Sequence, residues 1–301
     1  MKKSLRLVGV CLGLVATQSF AEMVEVPVDD GTTDPIAVEA DFFTSYIGGA
    51  DVQRGPIRIN NFDEMNALAR LLILPRTKIG IVRLGAEYEV YDFDLPEGLQ
   101  VPDRLQSLAL IIGLDTKFSD ELLVRFEAKP GLYSADDFQR GDLNVPFILG
   151  GTYLYSSTLQ FVFGVGVDLE GEFPVLPGGG VRWKFAPQWV LNATLPTPRL
   201  EYEINRQFML YGGGEIRSKN FRVDNDFVSD PGDPGRLNNA ILNYTEVRVG
   251  GGFVWKIGDA CKLSAEAGYM PYRQFDYHRT PVRYHSESGA PYATIGFHGS
   301  F

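Results

Sequence analysis

The sequence predicts an all-β protein, an antiparallel transmembrane β-barrel of about 14 strands, with 12 as the alternative count. Three observations carry this. Apolar and polar residues alternate with a period of two through most of residues 36–301, the mark of strands with one apolar and one polar face. Short connections alternate with long ones, as in barrels whose turns lie on one side of a membrane and whose loops lie on the other. Most segments reach the roughly 9–11 residues of a tilted bilayer crossing, beyond the roughly 5–6 usual in soluble strands.

The N-terminus supplies an export signal. Lys2, Lys3 and Arg6 precede a short apolar run from Leu7 to Val15, and Ser19-Phe20-Ala21 places a cleavage site before Glu22. Residues 1–21 therefore read as a signal peptide, too short in its apolar core to span a bilayer. Cys11 lies inside that core without a lipoprotein context. Residues 22–35, acidic and rich in Gly, Thr and Asp, read as a periplasmic tail. Residues 36–301 read as one barrel domain, since no linker composition interrupts them.

No later stretch supplies 18 uninterrupted apolar residues, so transmembrane helices are not expected. After cleavage, 25 basic residues face 38 acidic ones, a net charge of −13, which argues against nucleic acid as a partner. The single remaining cysteine, Cys261, excludes an intramolecular disulfide. No metal or cofactor motif is found, so no cofactor is expected.

Strands are expected at 36–47, 62–74, 78–92, 105–118, 121–134, 144–156, 158–168, 177–185, 188–195, 198–204, 207–223, 239–257, 260–273 and 290–301. Segments 62–74 and 198–204 are the weakest patterns, and their loss would give 12 strands. Long loops are expected at 48–61, 93–104, 135–143, 169–176, 224–238 and 274–289. In 158–168, Leu159, Phe161, Phe163, Val165 and Val167 oppose Gln160, Gly164, Gly166 and Asp168. In 78–92, Val82, Leu84, Ala86, Tyr88 and Val90 oppose Arg83, Glu87 and Glu89.

Charges at alternate positions inside strands face the lumen of a membrane barrel, with the apolar face toward lipid. The candidate lumen-facing residues are Arg83, Glu87, Glu89, Arg125, Glu127, Lys129, Arg182, Lys184, Glu201, Glu203, Glu246 and Arg248. Arg70, Arg217, Lys256, Lys262, Glu215 and Glu266 share the pattern. Such charges pair across strands or set the selectivity of a channel, and their near balance argues against a strongly ion-selective pore. Phe118, Tyr155, Trp183, Trp189, Phe208, Trp255 and Phe301 fall close to short turns, as an aromatic belt at the periplasmic headgroup layer would.

The long loops are acidic, for example Asp136, Asp137 and Asp142, or Asp168, Glu170 and Glu172. Solvated loop charge is the plainer reading beside divalent-cation binding, because no loop has EF-hand spacing. His285-Ser286 is the one neighbourhood that suggests a hydrolase, and adjacency alone makes no nucleophile–base pair. No catalytic residue is assigned and no enzyme activity is expected. The runs Gly178–Gly180, Gly212–Gly214 and Gly250–Gly252 lack the strand–turn–helix context of a nucleotide site and suit sharp curvature or close approach.

The final stretch, APYATIGFHGSF (290–301), is an amphipathic strand ending on an aromatic. It resembles the C-terminal signal by which bacterial outer-membrane barrels are recognised and assembled. Together with PGGGVRWKFAPQWVLNATLPTPRLEYEINRQFMLYGGGEI (177–216), it resembles a family of outer-membrane β-barrels with no assigned function. The resemblance implies an outer-membrane location and contact with lipid, lipopolysaccharide and the barrel-assembly machinery through 290–301. Both termini are expected in the periplasm. The leading functional expectation is a channel or transporter for small solutes. The alternative is a structural or surface-interaction barrel without conductance, followed by a lipid transporter or outer-membrane hydrolase.

Overall fold

The computed structural model describes residues 36–55, 57–95, 101–225, 227 and 237–301. The expected signal peptide and tail lie outside the described residues. The strands are β1 (Ile36–Arg54), β2 (Ile57–Thr77), β3 (Gly80–Phe93), β4 (Arg104–Lys117), β5 (Leu122–Ala128) and β6 (Gly131–Ala135). They continue as β7 (Leu143–Asn144), β8 (Phe147–Leu154), β9 (Leu159–Val167), β10 (Val175–Ala186), β11 (Trp189–Asn192) and β12 (Arg199–Glu203). The last are β13 (Phe208–Val223), β14 (Ile241–Ile257), β15 (Cys261–Tyr277), β16 (Arg283–Ser286) and β17 (Ala290–Ser300). With β5/β6 and β7/β8 each forming one broken stave and β16 lying above β17, they form a closed antiparallel barrel of 14 staves. The weak segments are both strands, which rules out the 12-strand count.

Closure runs through the terminal strand. β17 pairs with β15 on one side and with β1 on the other, in register from Glu39↔Ser300 to Ile47↔Tyr292. Phe301 adds two backbone bonds to Val38, each 2.8 Å. Neither edge is left as a template for further pairing. Large apolar side chains cover the outside, among them Phe42, Leu71, Leu110, Phe163, Leu210 and Ile295, while many of the alternate positions away from the long-loop end turn polar or small groups inward. That is the inverse of a soluble sandwich.

The two ends of the barrel differ in circumference. At the long-loop end, β6 leaves its place beside β8 and pairs in parallel with β13, through Ser134↔Arg222 and Ala135↔Val223. The strands β7 to β12 stop below this junction. The long-loop end is therefore encircled by β13, β14, β15, β16, β1, β2, β3, β4 and β6, nine columns with one parallel seam. Each of those columns sends at least one side chain into a single apolar cluster. Its centre is aromatic: Phe93 and Tyr244 lie 5.3 and 4.9 Å, centroid to centroid, from Phe275, and Tyr91 lies 5.2 Å from Tyr244. Val101, Leu237 and Val282, from the connections, complete it.

Several boundaries differ from expectation, each for a local reason. The loop expected at 48–61 is mostly strand, since β1 and β2 run on to Arg54 and Ile57. Bulges between Ile47 and Val52 shift the parity there and hide the continuity. The strand expected at 121–134 breaks at Lys129-Pro130, because proline lacks the N–H that a continuous ladder needs. The one expected at 144–156 breaks at Pro146 in the same way. Part of the loop expected at 274–289 is the end of β15 and the whole of β16.

Candidate functional site

The interior is filled by side chains that bridge across the lumen. Below the aromatic cluster, Tyr244 on β14 donates to Glu64 on β2 (2.6 Å), and Arg273 on β15 pairs with the same carboxylate (2.5 Å). Arg248 pairs with Glu246 (2.9 Å) and reaches Ser45 on β1 (3.0 Å). Arg217 pairs with Glu215 (2.9 Å), donates to Asn66 across the lumen (3.0 Å) and stacks on Phe43 (4.9 Å to the ring centre). Lys219 reaches from β13 to Glu89 on β3 (2.8 Å) and to Ser107 (2.7 Å). Charges taken out of water need such partners, since an isolated one costs several kcal/mol.

The candidate lumen residues fall into two groups. Arg83, Glu87, Glu89, Arg125, Glu127, Glu246 and Arg248 are buried, and Lys129 nearly so. Arg83 bridges over β4 to Glu127 (2.9 Å), Arg125 pairs with Asp115 (2.6 Å) and Lys129 with Glu87 (2.8 Å). Arg182, Lys184, Glu201 and Glu203 form a separate ladder on β10 and β12. Lys184 meets Glu203 at 3.0 Å, with both side chains 41% exposed, and Arg182 meets Glu201 at 3.4 Å, at 27% and 7%. This ladder rises from a cavity of about 760 Å³ at the short-turn end. Glu203, Met209, Lys256 and Lys262 line that cavity, and the two lysines stand opposite each other in register.

Sequence reasoning missed Glu64, Lys219 and Arg273. Lys219 shares its parity with Glu215 and Arg217 and was legible as a continuation of that face. Arg273 was not. An extra residue in β15, between Tyr269 and Tyr272, shifts the inward face from even to odd numbers.

The belt residues lie on the outside: Phe118, Tyr155, Trp183, Trp189, Phe208, Trp255 and Phe301 are all exposed. Phe208 stacks on Trp255 (5.9 Å, 9° between planes), and Trp189 packs against Tyr202 (4.7 Å). The Cys261 thiol is free and partly buried.

The acidic loops are less solvated than expected. Asp168 is buried and accepts from Asn144 (2.9 Å) and Asn220 (2.7 Å), which ties β7 and β13 to the end of β9. Asp142 is buried and accepts from the backbone of Gln139 (2.7 Å). Both acids cap backbone and amide donors at the junction where β6 crosses to β13. Among the described residues no group of three His, Cys, Asp or Glu side chains is placed to hold a metal. Ser286 gives its hydroxyl to the Arg273 carbonyl (2.9 Å), while His285 is exposed, so the two make no nucleophile–base pair.

Comparison with solved structures finds barrels of low similarity. The COG4313 outer membrane channel from Pseudomonas putida F1 is 10% identical, with a TM-score of 0.46 over 92% of this chain and 100% of that one. A Pseudomonas aeruginosa FadL homologue is 8% identical, with a TM-score of 0.42 over 89% and 90%. The KdgM porin is 11% identical, with a TM-score of 0.37 over 87% and 99%. No curated protein matches the chain. A closed antiparallel barrel, apolar outside and polar within, is an outer-membrane β-barrel. Residues 75–298 match the family described as a domain of unknown function, DUF6268, and the chain belongs to that family.

Proposed function

We propose that the protein is a gated transport barrel for small polar solutes, at rest in a closed state. The observation that carries this is the asymmetry of its interior. A cavity at the short-turn end is lined by Glu203, Lys256 and Lys262, and the Lys184–Glu203 and Arg182–Glu201 pairs stand above it. Against it stands an apolar stopper, of which Val101 and Leu237 belong to connections and not to the barrel wall. A wall that only needed rigidity has no use for a charged cavity of that volume. In this reading the short turns and both termini face the periplasm and the long loops face outward. The terminal strand then serves assembly, and the aromatic rings near the short turns sit among lipid headgroups.

The second reading, a barrel without conductance, is favoured by the strand-borne part of the stopper, since Phe62, Phe93, Tyr244 and Phe275 are all wall residues. Planar-bilayer recording separates the two. The wild type is expected to be silent for most of the record with infrequent steps. A Phe62→Ala/Phe93→Ala double variant, which removes two stopper rings, is expected to conduct for a much larger fraction of time. Silence from both proteins, with folding verified in the same sample, supports the structural reading instead.

A further inference from the structure

Deeper in the barrel than the ladder lies a small, partly open chamber of about 70 Å³, lined by residues of β12, β13, β14, β15 and the connection before β12. At about 30 Å³ for each water in the liquid, it has room for a solute of a few heavy atoms. Two of its lining charges make no ion pair, although Arg199 lies within electrostatic reach of Glu215 in the same lining. Arg199 stacks over the ring of Tyr211, 5.3 Å from its centre, and makes no ion pair among the described residues. Glu266 accepts hydroxyls from Tyr211 (2.7 Å) and Tyr292 and likewise has no cationic partner among the described residues. The third lining charge, Glu215, is already neutralised by Arg217 (2.9 Å).

Tyr211 holds the two apart. Its ring receives the guanidinium on one side while its hydroxyl is directed to the carboxylate. A polar lining adds to this. The Thr197 hydroxyl faces the chamber, buried and without a hydrogen-bond partner. Asn192, in register with Arg199, also leaves its amide oxygen unpartnered. Glycines make the room: Arg199, Gly213, Gly250 and Gly268 follow one another across the strands.

We propose that this chamber binds a small zwitterion of about the size of glycine, with its carboxylate on Arg199 and its ammonium on Glu266. Thr197 supplies a further hydrogen bond. A single anion would leave Glu266 unmet, and a single cation would leave Arg199 unmet, whereas a dipolar solute satisfies both. The inference is independent of transport, since a barrel that passes nothing can still bind.

The test is isothermal titration of the full chain, folded in detergent, with glycine, acetate and methylammonium as probes. Glycine is expected to bind about tenfold or more tightly than either of the others. Arg199→Gln and Glu266→Gln are each expected to weaken glycine about tenfold or more, while Arg199→Lys, which keeps the charge, stays within a few-fold of wild type. Heat-modifiable gel migration reports folding in each sample, and Arg199→Lys with Glu266→Gln suffice if Arg199→Gln does not fold. Equal binding of acetate or methylammonium overturns the proposal, as does the absence of glycine binding or its persistence in Glu266→Gln.

Discussion

At the scale of the residue, the interior is governed by the cost of burying charge. Glu64 and Arg273 are both fully buried, and Tyr244 shares the same carboxylate. Removing Arg273 leaves Glu64 with only the Tyr244 hydroxyl and a longer contact to Arg248 (3.7 Å), at a cost of about 3–5 kcal/mol. Arg273→Ala is therefore expected to lower the midpoint of urea unfolding in detergent substantially, and Arg273→Met/Glu64→Leu to recover most of the loss. If the double variant is no more stable than the single one, the ion pair is not the source of the effect. The reason sequence missed Arg273 is equally local: one bulge residue in β15 moved it onto the inward face.

Asp136, beyond the end of β6, gives a pH-dependent prediction. Burial, together with the nearby carboxylates of Asp224, Asp103 and Asp137, pushes its carboxyl up to about 6 from an ordinary value of 3.8. A folded-state value above the unfolded one means that the folded chain holds the proton more tightly. The contribution to stability is then complete below about pH 4 and lost as pH rises through about 6. Asp136 also sits at a φ of 76°, which Asn tolerates well. Asp136→Asn is accordingly expected to raise the temperature of the heat-modifiable transition, by more at pH 7.5 than at pH 4.5. An equal gain at both pH values would assign the effect to the backbone alone.

At the scale of the element, the departures from regularity determine the shape. Pro130 interrupts a stave, and the freed segment β6 crosses to β13, with buried Asp168 and Asp142 stabilising the region of the crossing. Period-two reading identifies the staves but cannot show where a broken one goes next, because the partner is 88 positions away. The crossing predicts a disulfide: Ser134→Cys/Arg222→Cys, in a Cys261→Ser background, joins in-register neighbours on parallel strands. Oxidation should yield a species of altered mobility on a non-reducing denaturing gel that reverts with reductant. Failure to cross-link in folded protein would show that β6 does not meet β13.

Glycine acts at this scale too. Tyr292 lies across Gly250 and Gly268, close enough that a Cβ on Gly250 would come within 2.4 Å of its hydroxyl. The backbone carbonyl of Ala267 stands 2.7 Å from the same position, and backbone does not give way as a flexible side chain does. The Gly250–Gly252 run thus marks a close approach, one of the two readings its sequence allowed.

At the scale of the whole molecule, the outside and the inside were legible to different degrees. Alternation, strand length and the spacing of turns by themselves determined an all-β membrane barrel of about 14 strands, because a bilayer requires each crossing strand to present an apolar face of minimum length. They also placed charges such as Arg83, Glu127 and Arg248 on the inward parity. What only the tertiary structure decided is how that interior is occupied: the taper to nine columns, the aromatic stopper at the long-loop end, and the chamber where Arg199 and Glu266 face one space. Lipid contact depends on each strand separately and can be read one strand at a time. Contacts across a lumen join residues more than a hundred positions apart, such as Lys219 with Ser107 and Tyr244 with Glu64, and only closure of the barrel brings them together.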